Sequence, residues 1–331
     1  MKHSNIALFV THSGCPHSCT FCNQRVITGN PQTAKPEDVS EAVSIALAHG
    51  DRGAQLAFFG GSFTAIPKDY MISLLDAAKP FVENGDISGI RISTRPDYID
   101  EEILDTLKAY GVEAIELGAQ SMDDEVLALN RRGHSREDVE RASELIKEYG
   151  FELGLQMMTG LYGDTEEKTL QTAEKLIKLK PSTIRIYPTV VLEGTELAKF
   201  LREGRYKPQE LDEAVEICAK LLPMFNDAGI KVIRLGLHSG GGVEDGYIAG
   251  AYHPAFRELV EGELYYSLAM KALEGTEPGN VTLLVAPSEI SKMTGQRRKN
   301  ILKLNDNGFN CKVRAESGLQ KYHVEVVNTW F

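Results

Sequence analysis

The sequence predicts an α/β fold built around a mainly parallel sheet. Short apolar runs alternate along the chain with longer stretches of helical period, which is the pattern of successive βα units. The predicted strands cover residues 5–12, 54–60, 89–95, 114–119, 151–158 and 183–191. A further apolar run at 231–237 predicts a seventh strand that closes or flanks the sheet.

Helical patterns separate these strands, and several have recognisable ends. They cover residues 37–49, 68–82, 101–110, 123–129 with 136–149, 166–179 and 210–227. Ser135 and Asp138 have the spacing of a capping box, in which each residue bonds the other's backbone. Gly50, Gly111 and Gly150 stand where helices end in left-handed backbone.

Changes in composition predict three parts. Residues 1–238 hold the βα units, and residues 239–280 form a glycine-rich loop, a helical stretch and a linker. Residues 281–331 are expected to form a small strand–helix–strand–strand appendage. This appendage holds eight basic and four acidic residues, a net charge of +4 on a chain of −11, so the preceding part carries −15.

Composition excludes several classes of protein. With 331 residues, 42% hydrophobic and 25% charged, the chain is globular rather than disordered or of low complexity. A pI near 5.3 argues against nonspecific coating of nucleic acid or anionic membrane. The apolar runs are too short to span a bilayer. The five cysteines are an odd number with three close together, which is not the pattern of an extracellular disulfide framework. We therefore expect a cytoplasmic protein.

Three of the cysteines form a compact motif directly after the first predicted strand. Cys15, Cys19 and Cys22 have the spacing C-x3-C-x2-C, which can bind three corners of an iron–sulfur cube and leave one iron without a protein ligand. The alternative is structural zinc, with His12 or His17 as the fourth ligand.

This loop, with Phe21 before its last cysteine, resembles the signature of radical S-adenosylmethionine (SAM) enzymes. Other segments resemble, in order, the radical core of the catalytic subunit of Elongator, which modifies the wobble uridine of transfer RNA. These segments are FFGGSFT at 58–64, TRPDY at 94–98, ELGAQS at 116–121, NRRGH at 130–134, RIYPTVV at 185–191 and GTEL at 194–197. The resemblance covers residues 5–235.

The resemblance implies a partial (β/α)6 parallel barrel with a small C-terminal α+β appendage. It also implies a [4Fe–4S] cluster on Cys15, Cys19 and Cys22, with SAM on the open iron. Reductive cleavage of SAM would release a 5′-deoxyadenosyl radical, and the electron would come from an external donor such as flavodoxin or ferredoxin. Transfer RNA is the substrate that the resemblance suggests.

Several residues are implied to contact SAM. Gly60, Gly61 and Ser62 belong to the motif that holds the methionyl amino group, where glycines allow close backbone approach. Arg95 and Arg132 are candidate partners of the SAM carboxylate, because a guanidinium can make two parallel bonds to it.

Other candidates have competing interpretations. Gln120 is expected to be a pocket amide that contacts the cofactor. Phe21 either lies near the adenine or packs beside the cysteine loop, and Tyr187 either faces the reaction chamber as a catalytic candidate or fills the barrel. Cys218 and Cys311 are expected to be inert packing residues.

A cluster of basic residues in the appendage predicts a contact with RNA phosphates. No acidic residue lies among positions 290–305, where the chain carries Lys292, Arg297, Arg298, Lys299 and Lys303. An ordinary solvated helix face is the alternative interpretation.

Departures from the Elongator pattern leave the substrate open. Ser93 and Arg185 stand where that core usually has Glu and Lys, and the chain offers no stretch long enough for an acetyltransferase domain. The alternatives are a radical enzyme for a small molecule or peptide, including porphyrinogen-like substrates, and a noncatalytic zinc-stabilised binding module.

Overall fold

The computed structural model describes residues 5–10, 18–23, 26–27, 33–51, 53–237 and 242–327. Its main sheet has seven parallel strands in the order in which they occur along the chain. They are β1 Asn5–Val10, β2 Gln55–Gly60, β3 Gly89–Thr94, β4 Val112–Gln120, β5 Glu152–Thr159, β6 Thr183–Pro188 and β8 Lys231–Leu235. The predicted parallel α/β fold is confirmed as a curled half-barrel, with β8 as its seventh strand.

Helices connect these strands and return the chain to the same edge of the sheet. They include α1 Pro36–Ala48, α2 Lys68–Glu83, α3 Glu101–Ala109, α4 Asp124–Leu129, α5 Arg136–Glu148, α6 Glu166–Lys178, α7 Glu196–Arg202 and α8 Leu211–Asp227. The capping box of α5 is confirmed, since Ser135 Oγ accepts a bond from the Asp138 N–H and Asp138 Oδ2 accepts one from the Ser135 N–H. In the described ranges, no helix is both long and apolar enough to cross a membrane.

The predicted strand at 183–191 is two strands. After β6 ends at Pro188, β7 Val190–Leu192 leaves the main sheet and pairs antiparallel with β9 Tyr247–Gly250, which follows α9 Val243–Gly246. Pro188 has no N–H to donate to a ladder. The next N–H, of Thr189, bonds the Thr159 carbonyl oxygen at 2.9 Å, at the end of β5.

The strands alternate between an apolar face and a polar one. Ile92, Ile115 and Ile184 are fully buried on one face, where helices cover the sheet. The side chains between them are polar and share the other, inner face because neighbouring strands are paired in register. They include Arg91, Ser93, Glu116, Gln156 and Arg185. The half-barrel therefore encloses polar groups rather than an apolar core.

A buried network of ion pairs links the charged side chains of this inner face. The side chain of Glu116 is 1% exposed, and its two oxygens accept bonds from Arg185 Nε at 2.6 Å and Nη2 at 3.0 Å. Arg91 Nη1 lies 3.3 Å from the same carboxylate, and Arg91 Nη2 lies 3.1 Å from Glu152. Burial alone would lower the pKa of Arg185, but the Glu116 charge holds that pKa above its usual value.

Residues 210–223 and 252–331 form a second compact unit. Its elements are α10 Phe256–Ala272, β10 Gly279–Val285, α11 Ile290–Thr294, α12 Lys299–Asp306, β11 Phe309–Ala315 and β12 Glu325–Val327. Strand β10 pairs parallel with β11 and antiparallel with β12. Tyr265 of α10 and Leu283 of β10 share one apolar core. The boundaries predicted at 238 and 280 stay predictions.

The one helix expected in the appendage is divided into two, because the chain breaks between α11 and α12. Gly295 has φ of 75°, and the following Arg297 and Arg298 have φ of 52° and 63°. Glycine adopts this left-handed backbone without cost, whereas each arginine there is strained by about 1–3 kcal/mol. The break leaves both arginine side chains exposed.

Replacement of Glu116 by alanine is expected to lower the free energy of unfolding by about 3–5 kcal/mol, because two buried guanidinium groups lose a shared counterion. Urea-induced unfolding followed by circular dichroism measures this change. The control is Glu144→Ala, which removes an exposed carboxylate from α5 and is expected to cost about 0.5 kcal/mol or less. Equal losses in the two variants would contradict the role of the network.

Candidate cofactor site

The cysteine loop is held by a distant turn of the chain. Thr20, between two predicted ligands, donates its hydroxyl to Asn130 Oδ1 at 2.8 Å and its N–H to the Asn130 carbonyl oxygen at 3.2 Å. The Thr20 carbonyl oxygen accepts a bond from the N–H of Leu197, near the start of α7, at 2.7 Å. Asn130 is fully buried and was missed by the sequence analysis. Its place in the NRRGH segment was the available signal.

Two of the three predicted cluster ligands are described. Cys19 and Cys22 are partly exposed, and the Cys22 N–H bonds the Cys19 carbonyl oxygen at 3.1 Å. Cys15, His12 and His17 lie outside the described residues, so the three-cysteine ligand set stays a prediction. No set of three metal-binding side chains occurs in the described part of the chain.

Arg132 joins the cysteine loop to the end of β4. Its Nη1 lies 3.2 Å from Cys19 Sγ, and its Nη2 donates to the Gly118 carbonyl oxygen at 2.6 Å. The residue is 7% exposed, yet its Nε has no partner among the described residues. The guanidinium therefore bridges the cysteine loop and the end of β4, and its unpaired N–H is available to a further acceptor.

The end of β4 carries more unpaired polar atoms. Gln120 has φ of 65°, and its buried Oε1 has no partner in the described structure. A Cβ on Gly118 would lie 3.0 Å from Gln120 Nε2 and 3.5 Å from Arg132 Nη2, so glycine leaves room for both side chains. His134 Nε2 donates to the Ala119 carbonyl oxygen at 3.2 Å, while its Nδ1 is buried and unpartnered among those same residues.

The glycine motif brings the end of β2 against the end of β1. Gly60 has φ of 109°, and a Cβ there would lie 3.1 Å from the Val10 carbonyl oxygen. The Gly61 N–H bonds that same oxygen at 3.1 Å. The Ser62 hydroxyl is buried, where it bonds Thr94 Oγ1 at 2.8 Å and accepts the Arg95 N–H at 3.2 Å. Ser62 therefore ties the ends of β2 and β3 together through its side chain.

The two arginines predicted to bind carboxylate differ in their surroundings. Arg95 Nε and Nη2 each lie 2.9 Å from an oxygen of Asp97, and Nη2 also donates to the Arg132 carbonyl oxygen. Arg95 is therefore engaged in the loop that supports Arg132. Arg132, with its unpaired Nε, is the better placed of the two for an added carboxylate.

Among the remaining candidates, Phe21 packs against an apolar cluster that includes Val191 and Leu197. Tyr187 lies beside Arg185, and burial raises its pKa despite that positive charge, so its hydroxyl stays protonated. Cys218 and Cys311 are buried as predicted, which raises the thiol pKa to about 12 and about 11. Both are therefore protonated packing residues near neutral pH.

Comparison with known families identifies the superfamily of this chain. The model of the radical SAM superfamily matches residues 9–176, and the model of the radical SAM C-terminal domain matches residues 181–266. The chain belongs to the radical SAM superfamily. It is therefore an enzyme, and its cofactors are a [4Fe–4S] cluster and SAM. This membership argues against the noncatalytic zinc-stabilised module.

Curated relatives of this radical SAM chain include tRNA-modifying proteins. A tRNA uridine(34) acetyltransferase of Methanocaldococcus jannaschii is 30% identical over 52% of this chain and 35% of the relative. One of Dehalococcoides mccartyi is 28% identical over 61% and 52%, and human Elongator complex protein 3 is 29% identical over 54% and 36%. The chain spans about a third to a half of the length of these relatives.

Solved structures share the radical SAM fold of this chain. Elp3 of Methanocaldococcus infernus, with an N-terminal deletion, matches with a TM-score of 0.65 and 23% identity over 82% of this chain and 64% of that chain. Methylornithine synthase (PylB) matches with a TM-score of 0.51 and 17% identity over 82% of both chains. The predicted resemblance to the Elongator radical core is confirmed.

The unpaired atoms of this radical SAM chain fit a zwitterionic ligand. Arg132 Nε is a donor for a carboxylate, whereas Gln120 Oε1 and His134 Nδ1 are acceptors for ammonium or hydroxyl groups. Buried polar atoms are normally paired, and a ligand bound at the end of β4 would supply partners for these three.

His134 is expected to make stability depend on pH. Burial, and then the charges of Arg132 and Arg95, lower its pKa from 6.5 to about 3. The unfolded chain therefore binds the proton first, and this contribution to stability is present above pH 6.5 and declines as the pH falls toward 3. Between pH 7 and pH 5 the decline is about 2 kcal/mol.

Anaerobic urea unfolding of wild type and His134→Gln at pH 7 and pH 5 tests this expectation, since Gln keeps a donor but does not titrate. The substitution should remove about 2 kcal/mol of the pH dependence. His49→Gln, which removes an exposed histidine, is the control and should leave it unchanged. The same pH dependence in wild type and His134→Gln would show that another group is responsible.

Proposed function

We propose that this enzyme reductively cleaves SAM to modify transfer RNA. The single observation that carries the proposal is Arg132, which connects Cys19 of the cysteine loop with the unpaired polar atoms at the end of β4. The similarity to tRNA uridine(34) acetyltransferases supports the choice of RNA as substrate.

In this proposal, Cys15, Cys19 and Cys22 hold the cluster through three irons. When bound, the cluster and SAM supply a 5′-deoxyadenosyl radical for hydrogen abstraction. Arg132 binds the SAM carboxylate through its unpaired Nε, and Gln120 accepts a hydrogen bond through Oε1.

Other residues of the site orient these groups or exclude water. Gly60 and Gly61 keep side chains away from the end of β2, and Ser62 and Arg95 support the loops on either side. Phe21 seals the loop through its apolar neighbours, which is the packing interpretation rather than an adenine contact. Tyr187 remains the catalytic candidate because its protonated hydroxyl lies on the polar inner face.

Fewer basic side chains are available to RNA than the sequence of the appendage predicts. Lys292 lies 3.0 Å from both Glu261 and Glu289, Lys299 lies 2.8 Å from Asp212, and Lys303 lies 2.8 Å from Glu263. Arg297 and Arg298, in contrast, are exposed and form no ion pair with a described residue. We assign the phosphate contact to these two arginines.

The proposal also requires a reductant. In this proposal the electron comes from an external donor such as flavodoxin or ferredoxin. A reducing compartment such as the cytoplasm suits both this donor and the cysteines of the proposed cluster site.

Anaerobic enzyme with dithionite and SAM is expected to release 5′-deoxyadenosine, measured by liquid chromatography with mass spectrometry. Cys19→Ala should lose the brown cluster absorbance and reduce this product by about 100-fold or more, because one iron loses its ligand. Cys218→Ala removes a buried thiol instead and should retain both. Colourless wild-type protein with stoichiometric zinc after anaerobic purification would contradict the radical reaction.

The RNA assignment is tested separately, by fluorescence anisotropy with labelled transfer RNA across a salt series. Arg297→Ala with Arg298→Ala should weaken binding about 10-fold and reduce the salt slope by about 2, as expected for two lost phosphate contacts. Lys299→Ala with Lys303→Ala changes the net charge equally but removes lysines that are already paired, so its effect should be smaller. Equal effects would reject a specific arginine contact.

An unchanged set of modified nucleosides in cells without the enzyme would favour the small-molecule or peptide alternative. In that case, 5′-deoxyadenosine formation by the purified enzyme would still stand. The proposed SAM cleavage and the proposed RNA substrate can therefore be rejected independently of each other.

A further inference from the structure

One charged side chain of the inner face, Arg234, has no counterion in the part of the chain that the structure describes. Arg234 on β8 pairs in register with Arg185 on β6, so the two side chains share the face that carries Glu116. Arg234 is only partly buried, and no carboxylate of a described residue lies within 4.0 Å of its guanidinium.

The other inner-face arginines differ from Arg234 in this respect. Arg185 makes two bonds to the Glu116 carboxylate, and Arg91 bonds both Glu116 and Glu152. Both carboxylates are thereby occupied. The positive charge of Arg234 is therefore in excess, and a half-buried charge without a partner is costly.

Tyr187 adds a donor next to this unpaired charge. It stands two residues after Arg185 on β6, so its side chain has the same orientation with respect to the sheet. It interacts electrostatically with both Arg185 and Arg234. Because burial keeps its hydroxyl protonated, that hydroxyl is a hydrogen-bond donor rather than a competing anion.

We propose that Arg234 and Tyr187 bind an oxyanion of the substrate, a phosphate or a carboxylate, inside the half-barrel. This assignment rests on the proposed function, because it names the chemical group that the enzyme recognises in what it modifies. A guanidinium presents a planar pair of donors that matches oxyanions, and an adjacent neutral hydroxyl adds a further bond. Arg185 cannot take this role without releasing Glu116.

Isothermal titration of the anaerobically purified holoenzyme at low salt tests the site with inorganic phosphate, acetate, uridine 5′-monophosphate and uridine. Arg234→Gln should weaken binding of the anionic probe about 10-fold or more, and Arg234→Lys should lose less because it keeps the charge. Tyr187→Phe should weaken it by a few-fold, about the effect of one hydrogen bond. Lys231→Gln removes an exposed charge from the same strand and should leave it unchanged.

The probes distinguish the two sources of oxyanion. Tighter binding of phosphate and uridine 5′-monophosphate than of acetate supports a nucleotide phosphate, whereas the reverse order supports a substrate carboxylate. Uridine alone should not depend on Arg234. Unchanged anion binding in Arg234→Gln, or equal weakening in Lys231→Gln, would overturn the site.

A second series of the same titrations is run with a saturating amount of SAM. Anion binding that persists with SAM supports a substrate site, whereas competition would assign Arg234 to the cofactor and overturn the proposal. Formation of 5′-deoxyadenosine by the wild type is measured in parallel. Its failure rejects the proposed function, whereas loss of Arg234-dependent anion binding rejects only this inference.

Discussion

The polar interior of the half-barrel depends on one buried carboxylate. Glu116 is the shared acceptor for Arg185 and Arg91, and without it Arg185 would lose its counterion in a region of low dielectric constant and Arg91 would keep only Glu152. The ion pairs with Glu116 allow the strands to carry charged side chains on the inner face of the sheet while their outer face is apolar. Arg185 suits this role because its planar group makes two bonds to Glu116.

A single segment, residues 130–134, connects the parts of the candidate cofactor site. Asn130 holds Thr20, Arg132 reaches Cys19, and His134 bonds the backbone of β4. The cysteine loop and the end of β4 are therefore coupled through one short turn. Such coupling places the predicted cluster ligand Cys19 and the residues proposed to contact SAM on a common support.

Charge in the second unit illustrates how ion pairs change a sequence-based interpretation. Five basic residues on one segment indicated an extended RNA contact, but three of them have carboxylate partners from other parts of that unit. The two that remain, Arg297 and Arg298, have left-handed backbone and lie with Gly295 at the break between α11 and α12. The surface available to a polyanion is therefore smaller and more sharply located than composition suggested.

The sequence by itself determined the parallel α/β fold, the helix start at Ser135, the cysteine loop and the superfamily, because each depends on residues close together in the chain. Only the tertiary structure decided that Arg185 pairs with Glu116 and Arg132 with Cys19. Those residues are 69 and 113 positions apart, and such contacts depend on strand register and on the packing of distant turns.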